Sequence, residues 1–138
     1  MPVRITRPTQ LDEDVLTQII TELATRYVVQ QIVFPISYTD ATGVVATLDE
    51  DVLVLDRVVV RTTSWNTDPL FTLGTAALPD LLIKDNQHAL NMTGAGTARI
   101  AGDGYRTTAS TPLVATWNQN GATSGAGYVV ITYVRLDL

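Results

Sequence analysis

His88 is the sole histidine in 138 residues, and there is no cysteine. Nucleophilic catalysis needs a nucleophile, a base and an orienting group within reach of one another. Zinc sites of the ordinary kind are assembled mainly from His and Cys. Neither can be built from this inventory. His88 closes the polar run Lys84-Asp85-Asn86-Gln87-His88 and reads as a solvated turn residue. The carboxylates form two triplets, Asp12-Glu13-Asp14 and Asp49-Glu50-Asp51. Neither has the alternating Asp-x-Asp-x-Asp-Gly layout that wraps calcium in oxygens on a tight loop. The first triplet suits a helix start and the second a solvated approach to a strand. A glycosidase needs two carboxylates at a set separation, and nothing here selects a pair. Gly94-Ala95-Gly96 and Gly102-Asp103-Gly104 are followed by no Lys-Ser or Lys-Thr, so they read as hairpin turns rather than phosphate loops. No catalytic residue, cofactor or metal is expected, and the chain is not read as an enzyme.

The remaining candidates are residues of contact. Trp65 and Trp117 are the two largest apolar side chains, each followed by polar residues in Trp65-Asn66-Thr67-Asp68 and Trp117-Asn118-Gln119-Asn120. Tryptophan serves cores and interfaces alike. The charge balance is 9 Lys plus Arg against 14 Asp plus Glu, a net charge of −5. A surface that tracks phosphates wants the opposite sign, so nucleic acid is not an expected partner. Only 17% of residues are charged, against about a quarter in ordinary globular chains. Such a neutral polar surface suits a protein packed against copies of itself or a larger assembly. The apolar runs are short and broken by charge, and the N-terminal residues have no apolar stretch behind them, so neither a membrane span nor a signal peptide is expected.

These residues must be positioned by the following elements. Residues 1–9 form an extended arm carrying Arg4 and Arg7, with Pro2 and Pro8 restricting the backbone. Residues 10–28 form the one convincing helix, capped by Thr9 and with Asp12, Glu13 and Asp14 at its dipole's positive end. Leu11, Val15, Ile19, Leu23 and Tyr27 recur every fourth residue as one apolar face. That face packs either on the edge of its own domain's sheet or along helices of other subunits. From Val28 the pattern changes to β: a strand to Tyr38 in which Pro35 demands an edge or a bulge, a turn at 39–43, and a strand at 44–48. Further strands are expected near 52–64, 70–75, 80–84, 97–101, 105–117 and 127–136, rich in β-branched and aromatic residues. Asn120-Gly121 favours a tight turn inside a flexible surface loop, 118–127. The hexapeptide Leu-Asp-Glu-Asp-Val-Leu occurs at 11–16 and again at 48–53 with unrelated flanks, so it is a coincidence and not a repeat.

Four phrases carry a resemblance: Val58-Val59-Val60-Arg61-Thr62-Thr63-Ser64-Trp65; Pro69 to Thr75; Gly102 to Arg106; and Ser124-Gly125-Ala126-Gly127 followed by the aromatic-rich strand to Val134. In texture and order, roughly over 48–136, the chain resembles small β-domain proteins of tailed-bacteriophage virions. The resemblance implies a mainly β fold, a jelly-roll-like antiparallel β-sandwich at 29–138, preceded by the arm and amphipathic helix of 1–28. It implies a capsid decoration or cement protein that binds the head surface as a homotrimer, with a tail-fibre, spike or lectin-like glycan-binding module as the alternative. The expected partners are the chain itself and the major capsid protein or another virion protein, with a glycan in the alternative. The expected location is the virion, assembled in the host cytoplasm. Arg4, Arg7, Leu11, Val15, Ile19, Leu23, Tyr27, Trp65 and Trp117 are the expected interface residues.

Overall fold

The computed structural model describes residues 29–101 and 104–136. The arm and helix expected at 1–28 lie outside the described residues. Runs of Val, Ile, Thr and aromatic residues become seven strands: β1 (Val29–Ser37), β2 (Gly43–Leu48), β3 (Val52–Thr63), β4 (Leu70–Gly74), β5 (Gly96–Ala101), β6 (Thr111–Asn118) and β7 (Ala126–Arg135). They form two antiparallel sheets, one of order β1-β7-β3-β5 and the other of order β2-β6-β4. Strands consecutive in sequence fall in opposite sheets throughout, so the chain crosses the core at every connection. Among the described residues there is no α-helix, only a 3-10 turn at Asp85–Gln87, and no helix is long and apolar enough to cross a membrane.

The core lies between the sheets. Phe34, Ile36, Val52, Val54, Val59, Ile100, Val129 and Ile131 from the four-stranded sheet meet Leu48, Phe71, Leu73, Leu113 and Ala115 from the three-stranded one. Fully burying one such side chain contributes about 1.5–3 kcal/mol. β1 is an edge strand, which is where a strand tolerates Pro35. Asn120 and Gly121 both have positive φ, and Ala122 N–H donates to Gln119 O at 3.0 Å, the backbone of a tight two-residue turn.

The expected strand at 80–84 is not a full strand. Leu82 and Ile83 are fully buried, but they meet the sheet through one bridge, with Leu73 N–H donating to Ile83 O and both Leu82 N–H and Ile83 N–H donating to Leu73 O. This segment is apolar because it plugs the core beside β4, not because it runs in a ladder. The expected strand at 105–117 begins only at Thr111. Before it, Arg106 bridges Leu53, and Thr107 Oγ1 accepts from Val52 N–H (2.9 Å) while donating to Asp49 O (2.6 Å). The Thr107 side chain there adds to a short run of backbone bonds, Val54 N–H to Tyr105 O and Thr107 N–H to Val52 O.

Candidate functional site

Trp65 and Trp117 come together, 52 positions apart, because β4 pairs with β6. Their rings stack at 6.0 Å, and Phe71 continues the stack on Trp117 at 4.3 Å. Trp65 is only 2% exposed and belongs to the core; Trp117 is half-buried. The polar residues beside them are engaged with each other. Trp65 Nε1 donates to Gln119 Oε1 (2.9 Å), and Gln119 Nε2 donates to Ser37 O and Asp40 O. Asn66 and Thr123 exchange two hydrogen bonds, Thr67 Oγ1 donates to Gln119 O, and Asn120 Nδ2 donates to Asp68 O. Loop 118–127, expected to be flexible, is thus tied to β1, to the Trp65–Asp68 turn and, through Tyr38 N–H to Gly125 O, to the end of β1.

His88 is not a solvated turn residue. It is 3% exposed, edge-on to Phe71 at 6.1 Å. Leu90 N–H donates to its Nδ1 (3.0 Å), which leaves the ring proton on Nε2, facing Asp85 Oδ1 at 3.1 Å. Phe71 N–H donates to the same carboxylate oxygen (2.9 Å). The imidazole therefore fastens the 3-10 turn to β4, a structural use that the polarity of its neighbours conceals in sequence.

Two arginines on the inner face of β3 hold the same connection. Arg57 Nε donates to Leu82 O (2.8 Å) and its Nη1 to Ala101 O (3.3 Å). Arg61 donates through Nη1 to Ala89 O (2.6 Å) and through Nε to Gly94 O. Both are almost wholly buried. Gly96 makes room: a Cβ there would stand 2.6 Å from Arg61 Nη2. Their carbonyl partners satisfy guanidinium donors that would be costly to bury bare.

The surface best suited to contact is the outer face of the β1-β7-β3-β5 sheet. The registers place side chains there in cross-strand rows: Val29-Val134-Leu53, Gln31-Thr132-Asp56, Val33-Val130-Val58-Arg99 and Pro35-Tyr128-Val60-Thr97. Val29 is 59% and Val33 57% exposed, Pro35 and Tyr128 are exposed, and Val58, Val60 and Val130 are half-buried. An antiparallel sheet with one wet face normally alternates apolar and polar residues; a strand apolar at both parities is the pattern of one covered on both faces. The run Tyr128-Val129-Val130-Ile131 within β7 is of that second kind, a signal in the sequence that the expected interface residues did not use. Charge is sparse on it. Asp56 Oδ2 meets Arg99 at 2.6 Å, while Asp56 Oδ1 is buried without a hydrogen-bond partner. The acids of the second triplet lie away from this face, Asp51 on Arg106 (2.9 Å) and Asp49 near Arg135 (3.6 Å).

Of the expected interface residues, Arg4, Arg7, Leu11, Val15, Ile19, Leu23 and Tyr27 lie outside the described residues. Trp65 presents no surface to a partner, and Trp117 presents part of one.

No protein-family model matches the chain, and no curated protein sequence matches it. Solved structures do. The chain is similar to a chain of the cyanophage Pam1 capsid asymmetric unit, at 15% identity over 79% of this chain and 86% of that one, TM-score 0.61. It is similar to a chain of the acidic stable capsid structure of the Helicobacter pylori bacteriophage KHP30, at 11% identity over 78% of this chain and 87% of that one, TM-score 0.57. At such identities the likeness is one of fold.

Proposed function

We propose that this chain is a structural protein of a bacteriophage virion: a decoration, or cement, protein that binds the head surface as a homotrimer and stabilises it. The observation that carries this reading is the fold likeness, over most of both chains, to chains of two phage capsid structures. The strand order supports taking the sandwich as a jelly roll. With residues 81–83 counted as a rudimentary eighth strand beside β4, two four-stranded sheets face each other, the first strand lies beside the last, and apart from the step from β4 to 81–83 within one sheet the chain alternates between sheets. The location is then the virion, assembled in the host cytoplasm, and the partners are other copies of the chain and the major capsid protein.

Function in this reading is adhesion, not catalysis. Several modest footprints on a symmetric shell add as avidity without any single strong contact. An apolar outer sheet face supports a role in contact, since monomers rarely leave large apolar patches open. The glycan-binding alternative draws less support. The two Trp-Asn turns that could have offered a sugar platform stack their indoles inward and spend their polar groups on one another.

The test is light-scattering mass of the purified protein followed by co-sedimentation with undecorated capsids. A trimer that pellets with shells is expected; a monomer that stays in the supernatant overturns the proposal.

A further inference from the structure

We propose that the connection between β4 and β5 carries an acid-operated latch at His88: a second ring proton, on Nδ1, takes the acceptor from Leu90 N–H and frees residues 88–95 while the two sheets stay folded. The inference stands apart from the proposed function and holds whatever the chain assembles with.

The latch is a conflict of donors. The neutral ring accepts from Leu90 N–H on Nδ1 (3.0 Å) and turns its other nitrogen to Asp85 Oδ1 (3.1 Å). A charged imidazole is a donor at both nitrogens. Two N–H groups then point at each other in a buried place. Asp85 pulls the other way, since its carboxylate faces the charged ring. Its side chain is 54% exposed, and an ion pair with so wet a partner contributes little. A buried N–H left without an acceptor costs more. The other charges around the connection do not favour a cation at the ring. β3 contributes Arg61, whose Nη1 donates to Ala89 O, the next carbonyl along the chain. It also contributes Arg57, on Leu82 O at the start of the same connection. Lys84 precedes the 3-10 turn. β4 has no charged residue and meets the ring through Phe71.

Beyond the ring, the segment is poised to move. Ala89 holds a φ of +53°, a left-handed conformation that is costly for a residue with a Cβ. Bonds to the residue after it keep it there: Leu90 N–H on His88, and Trp65 N–H on Leu90 O at 2.8 Å. Losing the first relaxes Ala89 and slackens the second. Neither bond belongs to a β-ladder, so the segment can open locally without the sheets. The latch is closed while the ring is neutral and loosens as pH falls through the ring's own titration.

The test uses the full-length protein labelled with nitrogen-15, with pH lowered until the ring is charged. Ring nitrogen shifts report its protonation. Amide hydrogen exchange, corrected for its intrinsic pH dependence, reports opening. Protection at Leu90 and Trp65 should fall by at least about tenfold as the ring takes its proton, with the amides of β3 and β7 unchanged. A ring that becomes charged with Leu90 still protected overturns the proposal. So does a ring that gains its proton only as the whole domain unfolds. His88→Asn supplies the control. Its side-chain oxygen can accept from the N–H two residues on, as in an Asx turn, and it does not titrate. This variant should hold Leu90 protected throughout the same pH range. A loss that persists in His88→Asn at the same pH assigns the trigger to another group, such as Asp85, and also overturns the latch. Should the variant fail to fold, the wild-type measurements decide alone.

Discussion

Gly125 packs flat on the indole of Trp65, so closely that a Cβ at this position would stand 2.3 Å from Trp65 Cδ2. Its φ of +146° is also one that side chains rarely adopt. The loop between β6 and β7 is closed onto the core at this point, and the order of the whole aromatic row depends on a missing side chain. Gly125→Ala should therefore destabilise the fold by about 2–4 kcal/mol, through overpacking and backbone strain together. Urea unfolding followed by tryptophan fluorescence measures it, and a change below about 0.5 kcal/mol, the range of neutral surface substitutions, would show that the loop yields.

Arg61 offers a second test. Arg61→Met keeps much of the aliphatic volume but leaves Ala89 O and Gly94 O without their donor. The expected cost is about 1–2 kcal/mol, because two part-buried carbonyls lose their charge-assisted hydrogen bonds. Arg61→Lys should recover less than half of the loss, since a point charge cannot span two carbonyls as the planar fork does. Amide exchange should quicken first at Trp65, whose N–H donates to Leu90 O in the segment that Arg61 restrains. Equal protection in wild type and variant would assign the 84–95 connection another anchor.

His88→Phe should cost about 1–3 kcal/mol despite being a larger apolar residue in a buried place, because Leu90 N–H loses its acceptor. Nitrogen-15 NMR of the wild type should find the proton of the neutral ring on Nε2. A ring carrying its proton on Nδ1 would contradict the Leu90 hydrogen bond.

On the outer sheet face, Val33→Lys changes a residue already 57% exposed. Chain stability measured in the dissociated state should move by no more than about 0.5 kcal/mol. Assembly should be lost, because a lysine ammonium cannot be buried unpaired against a partner. Light scattering and urea unfolding of the same sample read both quantities. An intact oligomer at unchanged affinity would remove this face from the interface.

Most strands were legible from local pattern. The runs at 52–64, 70–75, 97–101 and 127–136 became β3, β4, β5 and β7 within a residue or so at each end, because β-branched residues bounded by Gly, Asn and Pro need no distant information to favour extended backbone. Pro35 announced an edge strand, and Asn120-Gly121 announced its turn. The failures share one cause. Leu81-Leu82-Ile83 and Tyr105-Arg106-Thr107 look like strands, yet they have been recruited as a plug and a brace by residues about 10 to 55 positions away. His88 looks like a loop residue because the groups that bury it, Phe71 and the Leu90 amide, do not share its polar neighbourhood in sequence.

The order of residues alone determined the chemical character of this protein: no cysteine, one histidine, a thinly charged polar surface, and strands enough for a sandwich. Tertiary structure alone decided which parity of each strand faces the core, that Trp65 is an inward residue, that Arg57 and Arg61 point into the interior, and that Val33, Val130 and Val58 form one continuous apolar row. The physical reason is register. Side chains alternate sides along a strand, so a shift of a single residue in pairing exchanges the two faces, and pairing is settled by partners far away along the chain.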